Sequence, residues 1–211
     1  MPTATIPSLR RVDGVSRCWW ATSDPLYVTY HDDEWGRPVT SDVRLFEKLV
    51  LEGFQSGLSW LTILRKRESF RRAFRGFDPA RVARFGAIDV RRLLGDVGIV
   101  RHRGKIEAAI ANARAVAAVR EEAGSFARYV WSFAPSPRAT PAPRSRAMVP
   151  AATAVSESLA ADLRRRGFRF VGPTTVYAFM QAMGLVNDHV VGCASRGACV
   201  AARRGFAVTD G

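Results

Sequence analysis

A chain of 211 residues with 47% hydrophobic content can bury one large core or two small ones, and no apolar run reaches the roughly 18 to 20 residues that span a bilayer. The 32 Lys and Arg against 19 Asp and Glu leave a formal charge of +13, which excludes an acidic, self-solvating chain. It points to a polyanionic partner or to a solvated arginine-rich surface. Three cysteines and an N-terminus without an apolar signal region argue against a disulfide framework and for a cytoplasmic protein with no membrane partner.

Residues 1–16 have prolines and threonines without periodicity and are expected to be a disordered N-terminal extension ahead of a helical domain over 17–195. Next, Tyr27 to Trp35 packs two tyrosines, a tryptophan, a histidine and three acids into nine residues. Neither a plain core helix nor a plain surface loop has reason to carry that mixture, so this stretch is read as a binding region.

From Ser41, a natural N-cap, the pattern turns helical, with Leu45, Leu49, Glu52 and Ser56 on one face and Glu47 and Lys48 expected off it. Further helices are expected over 60–74, 79–85, 90–94 and 104–120, with Asp78 as a cap and Pro79 in the first helical position. Five prolines and three arginines over 135–150 read as a mobile loop or linker separating two helical lobes. Helices over 153–166 and 173–183 follow, joined by a Gly-bounded hairpin at 167–172, and a tail at 196–211 carries Cys199 as a free thiol. Strand alternation and internal repeats are not evident, so the fold class reads as all-α.

Three constellations carry chemistry. Cys18 and His31 have twelve residues between them, and His189 and Cys193 have three, one helical turn. Together they are a full tetrahedral complement for zinc; taken singly, each is equally at home as a buried structural residue. Glu52 falls in the middle of an apolar face, so it needs either a neighbouring arginine or a ligand that donates hydrogen bonds. Tyr27, Tyr30, Trp35 and Trp60 could hold a flat, electron-poor base beside it, or could simply be core. Finally, Arg164, Arg165, Arg166 and Arg169 precede Gly172, Thr174 and Thr175 at a fresh helix N-terminus, which suits phosphate contact or an ordinary helical turn. His102 sits among cations and reads as a surface or phosphate contact.

These stretches resemble the DNA-3-methyladenine glycosylase I family of the helix-hairpin-helix superfamily. The likeness rests on Ser23 to Tyr27, Tyr30-His31-Asp32, Glu34-Trp35-Gly36, Leu51-Glu52-Gly53, Gly57 to Trp60, Gly98 to Ile106, Arg166 to Gly172 and Gly184 to Cys193, in order along the chain. It implies one structural zinc per chain on Cys18, His31, His189 and Cys193, joining the N- and C-terminal segments. It also implies that Tyr30, Glu52 and Trp60 recognise a flipped base, with Tyr27 and Trp35 completing an aromatic box. Leu58 would be the wedge that fills the gap in the duplex, with Gln55 beside it, and the hairpin around Gly172 would hold the backbone. The implied activity is hydrolytic removal of 3-methyladenine from double-stranded DNA by a monomer, leaving an abasic site. The competing expectation is a non-catalytic, zinc-stabilised helix-hairpin-helix DNA-binding module. Asn187 stands where many related glycosylases carry a catalytic aspartate, so neither it nor Asp188 is expected to act as a base.

Overall fold

The computed structural model describes residues 8–21, 24–136 and 139–208. Its elements in chain order are β1 (Leu9–Val12), β2 (Val15–Cys18), α1 (Pro25–Thr29), α2 (Asp42–Gln55), α3 (Trp60–Ala73), α4 (Pro79–Val82), α5 (Ala87–Gly95), α6 (Arg103–Ala123), α7 (Phe126–Ser132), α8 (Ala154–Arg165), α9 (Pro173–Ala182) and α10 (Arg196–Arg204). A π-helical turn, Tyr30–Glu34, continues α1. Among the described residues the fold is all-α apart from one short hairpin, and two compact units share the chain. Of these residues, one unit gathers those within 8–38, 135–151 and 180–207; the other gathers 39–134, 152–179 and Val208.

In the first unit, β1 and β2 pair antiparallel from Leu9↔Cys18 to Val12↔Val15. Asp13 and Gly14 form the two-residue turn, both at positive φ (50° and 75°), the backbone that joins twisted strands most directly. Residues 8–16 are therefore a hairpin rather than the expected loose extension, and the hairpin delivers Cys18 into the interior; residues 1–7 lie outside the described residues. The Pro- and Arg-rich stretch is tied down within the same unit. Val191 N–H donates to the Pro143 carbonyl at 2.8 Å, and Arg146 N–H donates to Ser8 Oγ at 3.1 Å. The expected C-terminal tail contains α10, and Cys199 is buried in it.

Gly184 holds the segment after α9 against the 37–38 peptide. At φ +75° its missing side chain would lie 2.5 Å from the Arg37 carbonyl carbon, so no other residue fits without moving the backbone.

The second unit is organised on α2. Ser41 caps it through its side chain, and every residue from Leu45 to Phe54 is buried, so the helix is enclosed on all sides rather than on one face. Glu47 and Lys48 accordingly lie inside, against the expectation that they would face away. Because the helix is surrounded, each buried charge on it needs a partner: Glu47 takes Arg71 at 2.9 Å and Lys48 takes Glu52.

Phe54 packs edge-on against Phe70 at 4.8 Å, and Phe70, Phe74 and Phe77 stack in sequence at 6.2 and 5.4 Å, centroid to centroid. Full burial of each ring contributes about 2 to 3 kcal/mol. The small residues of α6, among them Ala109 and Ala113, let its backbone approach closely, and Asp42 caps α7 by accepting from Phe126 N–H and Ala127 N–H.

Candidate functional site

Cys18, His31, His189 and Cys193 meet in the first unit, all buried, with their ligand atoms within 4.8 Å of one another. Cys193 Sγ lies 3.3 Å from His189 Nδ1 and 3.4 Å from His31 Nε2, and Cys18 Sγ lies 3.6 Å from His189 Nδ1. A tetrahedral ion with bonds of about 2.3 Å to sulfur and 2.0 to 2.1 Å to nitrogen needs sulfur–nitrogen edges of roughly 3.5 Å, which these three separations match, so the four donors could hold a metal ion.

The second layer fixes both rings. His31 turns Nε2 inward because its Nδ1 donates to Asp32 Oδ1 at 2.7 Å; His189 turns Nδ1 inward because its Nε2 donates to the Trp35 carbonyl at 3.1 Å. Asp32 also accepts from Arg17 Nε and Nη2 and from Ser195. Burial raises the Asp32 carboxyl, but hydrogen bonds from Arg17 and His31 outweigh it and hold the group below the usual carboxylate range. Its neighbour Cys18, with help from His189 and His31 and against the opposing effect of burial, pulls Cys193 well below the usual thiol range. Gly36, at φ +81°, brings the chain close to His189 and Cys199, where a Cβ would sit 3.2 and 3.3 Å away.

The aromatic residues of this unit cluster around one that sequence reasoning missed. Trp20 lies 4.9 Å from Trp35, 5.8 Å from Tyr27, 6.2 Å from Tyr30 and 5.0 Å from His31, centroid to centroid. Trp35 in turn packs edge-on against His189 at 4.6 Å. Tyr27, Tyr30 and Trp35 are thus brought together around Trp20, and His31 and His189 pack against the same cluster.

Glu52 and Trp60 stand in the second unit. Glu52 is 6% exposed and its Oε1 lies 2.7 Å from Lys48 Nζ, one helical turn earlier, so its protein partner is a lysine, where an arginine or a ligand was expected. The same ammonium lies 3.2 Å from the centroid of the Trp60 ring. Ser59 caps α3 through its side chain and thereby fixes Trp60 at the first helical position.

Between the two helices, Gly57 at φ +82° turns the chain and presents Leu58, 42% exposed, while Gln55 is half-buried. Lys105 supports this turn from α6, donating to the Phe54 and Ser56 carbonyls at 2.9 and 2.6 Å, and its burial lowers its pKa.

In the hairpin after α8, Phe168 N–H donates to the Leu163 carbonyl. Asn112 of α6 braces Arg169 twice, accepting from its N–H at 2.7 Å and donating to its carbonyl at 3.1 Å. Phe170 adopts φ 56°, and Gly53 leaves room for it, since a Cβ there would lie 3.3 Å from Phe170 Cβ. Arg164, Arg165, Arg169 and Thr174 are exposed, and Gly172 and Thr175 are half-buried. His102, expected as a surface or phosphate contact, is exposed and also caps α6, accepting from Lys105 N–H.

The Methyladenine glycosylase family matches residues 20–196. The chain is 51% identical to the DNA-3-methyladenine glycosylase 1 of Escherichia coli over 85% of its own length and 96% of that protein's. It is 46% identical to a Haemophilus influenzae DNA-3-methyladenine glycosylase over 84% and 96%. Among solved structures, a 3-methyladenine DNA glycosylase I superposes with a TM-score of 0.80 at 51% identity, covering 84% of this chain and 98% of that one. The Staphylococcus aureus 3-methyladenine DNA glycosylase I, solved for its recognition of 3-methyladenine, gives 0.80 at 38% identity over 83% and 93%. On the extent and the level of these matches, the chain belongs to the methyladenine glycosylase family.

Proposed function

We propose that the protein is a monofunctional DNA glycosylase that removes 3-methyladenine from alkylated double-stranded DNA by hydrolysis, leaving an abasic site for base excision repair. The observation that carries this reading is the 51% identity, over nearly the whole of the relative, to a protein named DNA-3-methyladenine glycosylase 1. Buried Glu52, held beside an indole face, is the local feature that suits it.

Methylation at N3 gives the adenine a positive charge and makes it a better leaving group. The enzyme's task is then to extrude the base, select it and stabilise its departure. The C1′–N9 bond breaks with its electron pair passing to the base, which becomes neutral. Water adds its oxygen to C1′, and one proton passes to solvent. Glu52 accepts from the base's amino group and favours its positive charge; Trp60 supplies a stacking face, and Tyr27, Tyr30 and Trp35 supply further aromatic contacts. Leu58 and Gln55 meet the duplex at the gap left by the flipped nucleotide, and Arg169, Gly172, Thr174 and Thr175 contact the phosphate backbone without reading sequence.

The metal ion on Cys18, His31, His189 and Cys193 is proposed to be zinc, one per chain. It supplies cross-linking rather than chemistry, since four protein ligands complete its shell. The enzyme is proposed to act as a monomer in the cytoplasm.

Incubation of the protein with methylated duplex DNA tests the reading. Free 3-methyladenine should appear while the strands stay intact until alkali is added. Tight DNA binding with no base released would refute it and favour a non-catalytic DNA-binding module.

A further inference from the structure

Lys48 has no part in the reaction as written above, although it touches both groups assigned to the base in the second unit. Its side chain is 7% exposed and that of Glu52 is 6% exposed, with Nζ to Oε1 at 2.7 Å and Nζ to the Trp60 centroid at 3.2 Å. Removing an ammonium from water is costly unless charge and dipoles replace the water, and here a carboxylate and the negative face of an indole do so. Carboxylate and ring face together therefore form a cation site, and lysine is the cation in it.

A flat base stacked on that indole face would lie roughly 3.5 Å from it, in the volume the ammonium fills. Base and ammonium cannot both be there. We propose that Lys48 is a built-in competitor for the base site, filling the cation site of Glu52 and Trp60 in the free protein and reclaiming it from the product. This rests on the reading of Glu52 and Trp60 as base contacts.

The exchange follows the charge. A 3-methyladenine nucleotide brings its own positive charge, so it replaces the ammonium cation for cation. When the C1′–N9 bond breaks, the electron pair stays on the base and cancels that charge. Neutral 3-methyladenine no longer balances Glu52, whereas the ammonium does, and the Lys48–Glu52 pair re-forms at the product's expense. Bond cleavage and product release are thereby coupled through one carboxylate.

The test is titration of 3-methyladenine into wild-type, K48M and K48R proteins by tryptophan fluorescence, at a pH where the free base is neutral. K48M is expected to bind at least about tenfold tighter (about 1.4 kcal/mol), K48R to bind like wild type, and K48M to show a burst of base release followed by slow turnover. Equal or weaker binding by K48M, with slower release in a single turnover, would make Lys48 a support for Glu52 and overturn the proposal. Should K48M fail to fold by circular dichroism, K48A decides. Added n-propylammonium should compete with 3-methyladenine in K48A and return its affinity toward the wild-type value, and absence of competition overturns the proposal. E52Q separates the two levels of inference. If it binds and releases the base like wild type, the assignment of Glu52 itself fails, whatever Lys48 does.

Discussion

In the first unit, four donors from two distant stretches of chain converge on one point, and each ring among them is fixed by a further acceptor, Asp32 for His31 and the Trp35 carbonyl for His189. In the second unit, one carboxylate, Glu52, is balanced by a buried lysine resting on an indole. Both places bury polar groups, but the first gathers four donors on one point, while the second sets one ammonium against one carboxylate. A closed shell suits a permanent cross-link. A charge with one replaceable partner suits a site that must exchange one cation for another.

The largest effect is expected at the four-donor cluster of the first unit, proposed to hold zinc. C193A removes one ligand and leaves the others facing an incomplete shell, so stability should fall by several kcal/mol, roughly 10 °C or more of Tm for a chain of this size. Chelation or acidification should act in the same direction, since protonated thiols and imidazoles cannot bind the ion. Calorimetry with and without added zinc checks this; an unchanged Tm in C193A would show that the four donors are only packed together.

A smaller loss is expected one layer out. D32N keeps the shape but no longer accepts the His31 proton as a carboxylate, and should weaken metal affinity about 10- to 100-fold, measured by chelator competition, with base release intact at saturating metal. The smallest effect should come from the hairpin. N112A deletes both bonds to Arg169 and should cost about 1 kcal/mol of duplex affinity in fluorescence anisotropy while leaving affinity for free 3-methyladenine unchanged.

How much of this could be read from sequence depended on whether the signal was local. The caps at Ser41 and Asp78, and the hairpin between two amphipathic helices, follow from residue type at fixed offsets and appear where expected. The β-hairpin was also legible, since Asp13-Gly14 between Val12 and Val15 is a strong two-residue turn signal; the prolines and threonines upstream obscured it. Lys48 was misplaced because a one-sided helical projection assigns charges to solvent, and from Leu45 to Phe54 α2 has no solvent side. Its four-residue spacing to Glu52 was nevertheless there to be noticed. Trp20 and Asn112 gave no such signal, because their importance arises from partners 7 to 15 and 57 residues away that only the fold brings near.

Glu52 is proposed as the carboxylate that favours a departing cationic base. The most direct measurement is single-turnover release of 3-methyladenine from methylated duplex by wild type and E52Q, with duplex affinity determined on the same preparations. Release should drop about 10²-fold or more, some 2.7 kcal/mol of lost transition-state stabilisation, with duplex affinity nearly unchanged. Release by E52Q at the wild-type rate would contradict it.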